Sequence, residues 1–447
     1  MTFQNCHEFA IWSHILNWVL LNCVTLLDFF LICVLQMMPI QHLIKRYPMP
    51  GKKHEMPVLF HEPHVETGFR HINQPWYYYL LSLFQWHNES MNAWTHLVGC
   101  LIALCRIYTI ANEFNAYSDP WLYPMLAGSI TMIIMYFCSF AAHTFHNKSE
   151  LWHYTCFFID YCGIGLFGLG SSIIHYFYCT HPALAEMKIY KYAIPIATIL
   201  SVVVTVFCSH SKAKYSRPYP FTRKIWQLSS VIAIYCWLIL PIVHRMYMYY
   251  YSEKRQEKKW DQSLEDHTTQ MAWFLAAGFF FGSDIPQRVF PGKFDCLFHS
   301  HQIFHVCITF MNLKQIDAIY VDIHSHLERI KTFEEVPTLW NTFGAVLLVI
   351  VIDIGLVLIF RERAKARILR EAAEKHGWGF ICSSLATLHK HCFESLTLIC
   401  LVRLFILNVK MASWTPKTEM LKYVHKWLMY CLHCNIVVCL PIVNLTV

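Results

Sequence analysis

Two stretches of this chain, Tyr192 to Cys208 and Leu339 to Phe360, run for roughly 20 residues with at most one charge each, the length an α-helix needs to cross the hydrocarbon core of a membrane. Inside a bilayer every backbone N–H and C=O must find a partner within the protein, so only helices or closed barrels cross it. The strict alternation of a barrel strand is absent, which leaves helices. Hydrophobic residues make up 56% of the 447, which disfavours a string of soluble domains.

Eight such spans can be drawn: Ala93 to Ala111, Leu122 to Ala142, Trp152 to Tyr176, Tyr192 to Cys208, Ile225 to Met248, Met271 to Val289, Phe298 to Leu313 and Leu339 to Phe360. The chain therefore reads as an all-α, polytopic transmembrane bundle, with a seven-span core plus an eighth span. Basic clusters set its orientation. Lys45, Arg46, Lys52 and Lys53 precede the first span, Lys212, Lys214, Arg217, Arg223 and Lys224 follow the fourth, and Arg361, Arg363, Lys365, Arg367 and Arg370 follow the eighth. All three fall on one side, which the positive-inside rule assigns to the cytoplasm. Glu253 to Asp266 would then lie outside, its lysines and arginine nearly balanced by acids.

The division that follows is an N-terminal extension at 1–57 with a further apolar stretch at Ile11 to Leu35, a cytoplasmic approach segment at 58–92, the transmembrane core at 93–365, and a partly apolar C-terminal extension at 366–447. The first stretch lacks the basic start and small-residue cleavage site of a signal peptide. Most of the 19 cysteines fall singly within apolar runs, as small buried residues rather than a disulfide framework. The formal charge of +7 sits in short loops between spans, which argues against a nucleic acid partner.

Ionisable groups inside spans are costly, and each is a functional candidate. Ser139 and His143 stand four residues apart near the end of the second span, so they share a helix face. Asp160 sits early in the third, and His301 and His305 form another such pair near the start of the seventh. Asn88 and Glu89 immediately precede the first span, where Glu89 also suits a helix N-terminus as a first-turn acid. With 27 histidines, composition alone gives about 1.6 pairs at this spacing, so one pair identifies nothing. Depth adds more. The second span ends where the third and seventh begin, so His143, His301, His305 and Asp160 converge at one membrane face. Three imidazoles with an open fourth position is the arrangement of a catalytic zinc site, with Asp160 as a ligand or as the acceptor for a bound water.

The ordered segments LFHEPHVETGFR, LSLFQWHNESMNAWTH, SFAAHTFH followed by DYCGIG, and FPGKFDCLFHSHQIFH resemble the progestin and adipoQ receptor family from about Val58 to about Lys365. The approach segment and the eighth span are similar to its membrane progestin receptor branch. Matched residue by residue, the resemblance implies zinc on His143, His301 and His305, with Asp160 reaching the metal through water and Ser139 beside it. One departure is Gln287, which stands where the family has an acid.

Three readings of function follow. The resemblance implies a plasma-membrane receptor for a steroid or other lipid, coupled to a heterotrimeric G protein, with its approach segment and metal site toward the cytoplasm. The residues alone also suit a zinc-dependent hydrolase of a lipid amide, with Asp160 as proton acceptor and Ser139 steadying water or oxyanion; the family's suspected substrate is ceramide. Zinc could instead only staple three helices together. No motif identifies ligand contacts. Cys431, His433 and Cys434 lack a partner pair for a metal, and the glycosylation acceptors at Asn88 and Asn444 are poorly placed for modification. The basic run Arg361 to Lys375 suits an anionic lipid surface.

Overall fold

The computed structural model describes residues 48–251, 260–332 and 335–375, together with residues 28, 29 and 31. Nearly all of the apolar stretch Ile11 to Leu35, and everything after residue 375, lies outside the described residues. Eight long helices stand where eight spans were expected: α1 (Ser90–Glu113), α2 (Tyr123–Phe145), α3 (Glu150–Cys179), α4 (Ala193–Lys214), α5 (Phe221–Tyr251), α6 (Gln262–Ser283), α7 (Ser300–Ile330) and α8 (Ala345–Lys375). The only sheet among the described residues is a small antiparallel pair, β1 (Gly51–Lys52) with β2 (Thr67–Phe69), in the approach segment.

α3 is the central helix, packed against α2, α4, α5, α7 and α8. Small residues let its neighbours come close. A Cβ on Gly170 would collide with the Thr131 hydroxyl on α2, so these two backbones touch where a larger residue would hold them apart. Large apolar side chains such as Leu101, Phe137, Ile232, Leu347 and Ile354 point outward and exposed. On a soluble protein so many outward apolar side chains would be a liability, whereas on a membrane bundle they meet lipid.

Six of the eight helices are long and apolar enough to cross a membrane. α6 and α7 fall short because polar residues lie along them, some of them in ion pairs. Lys314 on α7 bonds Asp266 on α6 at 2.9 Å, and Arg106 on α1 pairs with Asp317 on α7. These pairs also correct two expected spans. The sixth helix starts at Gln262, not Met271, because the Asp261 carboxylate accepts the Leu264 N–H at 2.9 Å and caps it. It stops at Ser283, before Val289, where Asp284 turns left-handed at φ 57°. The seventh runs past Leu313 to Ile330 because its polar residues are partnered instead of marking a loop. The eighth continues unbroken into the basic run, where Arg367 donates to the Ala213 carbonyl at 2.7 Å.

Ten cysteines are described and all are free, six of them buried. Among the described residues they form no disulfide framework.

Candidate metal centre

The site forms where α2 ends and α3 and α7 begin. A single 3-10 turn, His146–Lys148, joins α2 to α3, and Ser149 caps α3 by accepting the Trp152 N–H. Gln287, in the loop before α7, holds the start of that helix. Its amide donates to the Ser300 hydroxyl and accepts the Ser300 N–H, both at 2.8 Å, which fixes the helix start one residue before His301.

His143, His301 and His305 come together there, their ligand nitrogens all within 4.8 Å of one another. His143 donates from Nδ1 to Glu89 Oε2 at 2.7 Å, and His305 donates from Nδ1 to the Asn92 carbonyl at 3.0 Å. Both rings therefore spend their outer proton on a neighbour and turn a lone pair at Nε2 inward. Such outer partners fix tautomer and ring angle in metal-bound histidines. His143 Nε2 stands 3.3 Å from His301 Nε2. Two imidazole nitrogens held about 2.0–2.1 Å from one tetrahedral ion would lie about 3.3–3.4 Å apart, so the residues present fit zinc.

Asp160 is not among these three ligand groups. It pairs with the Ser139 side chain, and His143 is the charged group that acts on it. Asn88 contributes only backbone: its carbonyl accepts from His299 Nε2 at 2.9 Å.

Glu89 has a sharper place than a helix-dipole acid. It is buried at 3% exposure, accepts from His143 and from the Asn92 amide (2.7 Å), and lies 3.4 Å from His146 Nε2. Burial alone would raise its carboxyl, but the two histidines outweigh that and hold it well below the ordinary carboxylate range. Asn92 and His96 belong to the same constellation, His96 stacking on the His305 ring at 3.6 Å. Their signal was in the sequence: Glu89, Asn92 and His96 recur at three and four residues, one polar stripe on α1.

The approach segment closes the site from outside the bundle. Fully buried Arg70 donates to the His143 carbonyl at 2.6 Å, the Thr144 carbonyl at 2.7 Å and Asn147 Oδ1 at 3.0 Å. It therefore satisfies the carbonyls that the end of α2 leaves open. Thr67 bonds Asp295 through backbone and hydroxyl, at 2.8 and 2.7 Å. Between them Gly68 takes φ +83°, and a Cβ there would press on Cys296 Sγ and the Asn88 nitrogen. This is also the end where the basic clusters gather, with Arg217 on Glu62 at 2.6 Å.

Asp353, the one charge of the eighth span, was not among the site candidates. Asp353 on α8 is buried beside Thr205 of α4 and Cys162 of α3.

A family model for haemolysin-III related proteins matches residues 84–315. The chain is 34% identical over 289 residues to membrane progestin receptor beta of Homo sapiens, covering 64% of this chain and 79% of that receptor. It is 31% identical over 326 residues to membrane progestin receptor beta of Sus scrofa, covering 72% and 90%. It is 34% identical over 282 residues to membrane progestin receptor alpha-B of Danio rerio, covering 63% and 77%. This multi-pass membrane protein belongs to the haemolysin-III related family, in the membrane progestin receptor branch of the progestin and adipoQ receptors.

Proposed function

We propose that the chain is a plasma-membrane receptor for a steroid, with a zinc ion held by His143, His301 and His305 at its cytoplasmic end. The steroid is carried over from relatives named as progestin receptors. The zinc rests on one observation, the outward commitment of the Nδ1 protons of His143 and His305, which turns both Nε2 lone pairs into a site that His301 Nε2 also enters, 3.3 Å from His143 Nε2. The basic clusters support the cytoplasmic assignment, and the ligand-driven change would pass there to a heterotrimeric G protein. When bound, zinc supplies a fixed positive charge able to polarise a carbonyl oxygen. Glu89 and the Asn92 carbonyl orient the rings, while Arg70 holds the end of the helix that carries His143. Both His96 ring nitrogens are buried without a hydrogen-bond partner among the described residues, which suits a ligand oxygen beside the three histidines.

The pairing of Asp160 with Ser139 next to His143 favours a second activity on the same residues, hydrolysis of a lipid amide such as ceramide. Asp160 would accept a proton from the attacking water, and Ser139 would orient it.

The test measures zinc content, saturable progestin binding and ceramide hydrolysis on purified native protein and on His301→Ala. Zinc and steroid binding in the native chain, with zinc lost in the variant, support the receptor reading. Turnover lost alongside zinc supports the hydrolase. A native protein without zinc sinks the site.

A further inference from the structure

At the opposite end of the bundle a second cluster is buried as deeply as the first. Cys179 is the last residue of α3, His267 lies in the second turn of α6, and Asp322 lies on α7, seventeen residues beyond His305. None is more than 1% exposed. Their ligand atoms form a closed triangle: Cys179 Sγ to His267 Nε2 is 3.3 Å, His267 Nε2 to Asp322 Oδ2 is 3.2 Å, and Cys179 Sγ to Asp322 Oδ2 is 3.6 Å.

Those lengths can be checked against a metal. A tetrahedral zinc with bonds of about 2.3 Å to sulfur, 2.0–2.1 Å to nitrogen and 2.0–2.2 Å to oxygen has edges of about 3.3–3.6 Å. Each edge of the observed triangle lies within about 0.3 Å of the corresponding edge of that tetrahedron, and thiolate, imidazole and carboxylate are all zinc donors.

The surroundings are arranged in the same sense. The two oxygens of Asp322 divide their work: Oδ1 accepts the Ser263 hydroxyl at 2.7 Å, lies 3.3 Å from His326 Nδ1 and takes the closer contact of Arg245 at 3.2 Å, while Oδ2 faces Cys179 and His267. Arg245 also reaches Oδ2, at 3.4 Å, and is shared with Asp261 at 3.5 Å. The Gln270 amide sits 3.0 Å from His267 Nδ1. Half a turn of that amide sets its oxygen there to accept Nδ1–H, leaving Nε2 bare toward the triangle. A ligating carboxylate bonded through its other oxygen and a ligating imidazole held at its far nitrogen are the outer partners that metal sites carry.

We propose that Cys179, His267 and Asp322 form a second divalent-metal site, of the zinc class, tying together the ends of α3, α6 and α7. Binding replaces the Cys179 S–H by an S–metal bond and releases that proton to solvent; nothing is oxidised or reduced. The site uses none of the residues of the three-histidine centre.

The experiment uses the purified full chain in detergent, with zinc counted per polypeptide and cobalt(II) then substituted as an optical probe. The native chain is expected to lose one metal equivalent in Cys179→Ala, and to keep this site's equivalent in His301→Ala. A thiolate-to-cobalt charge-transfer absorption should appear in the native chain and in His301→Ala and vanish in Cys179→Ala, since imidazoles alone cannot produce it. Cys179→Ser preserves shape and hydrogen bonding while replacing a soft ligand by a poor one, so it separates metal loss from misfolding. If Cys179→Ser keeps the native metal content, or the cobalt-loaded native chain shows no thiolate band, the site is overturned.

Discussion

The Glu89 carboxylate accepts the Nδ1 proton of His143 across 2.7 Å, from the residue before α1 to the last turn of α2. It would act on the proposed metal centre through His143, as a positioning residue. Glu89→Gln should leave zinc able to bind but with affinity lowered about 10- to 100-fold, the usual cost of losing such a partner. Competition with a chromogenic chelator reads this directly. An unchanged affinity would reduce Glu89 to a helix-start acid.

Arg70 should matter as much to the fold as to the site. Arg70→Met leaves two carbonyls and the Asn147 side chain buried without their donor, at about 1–3 kcal/mol for each unsatisfied group. Arg70→Lys should rescue little, because one ammonium cannot reach along the same fork. Thermal unfolding in detergent, with zinc content measured in parallel, checks both variants. A melting temperature unchanged in Arg70→Met would contradict the capping role.

Tyr219, in the loop between α4 and α5, sits among Arg223, Arg217 and Lys212, with their charges 3.9, 4.6 and 5.6 Å from its ring centre. Burial would raise its phenol, but Lys212, Arg217 and Arg223 outweigh this and bring it down to about 8. An acid depressed on folding stabilises fully above its unfolded value, and the gain disappears as pH falls through the folded one. Tyr219→Phe should therefore match the native chain at neutral pH and fall behind it at about pH 9.5, between the folded value and the ordinary value of about 10. Difference absorbance should also lose one tyrosinate step near 8. Equal melting of the two proteins at alkaline pH would count against the cationic cage.

Asp160→Asn separates the two activities proposed for the site. Zinc content and progestin binding should persist, while any lipid amide hydrolysis of the native chain should fall by about 10²–10⁴-fold, the contribution of a placed proton acceptor. Hydrolysis surviving in this variant would remove Asp160 from that chemistry.

Much of the architecture was legible because lipid imposes a simple condition on a helix. The apolar lengths placed all eight helices, and the i, i+4 pairs placed His143 and His301 with His305 at one depth. Where polar residues find partners, hydropathy stops marking helix ends, and so α6 and α7 were drawn short of Asp266 and Asp322. Glu89 was visible as a candidate but not as the partner of His143, since a contact across 54 positions of chain leaves no local periodicity. Arg70 was hidden for the same reason: its role lies in carbonyls 73 and 74 positions away.

α7 carries His305 near one end and Asp322 toward the other, and its residues between Ser300 and Ile330 include no proline or glycine. Helices kink sharply at such residues or at inserted defects, so its sequence holds no such break. At 1.5 Å per residue the two positions are about 25 Å apart, close to the thickness of a bilayer core. One continuous helix thus carries a residue of each buried cluster, His305 and Asp322, so the two clusters share a single backbone element.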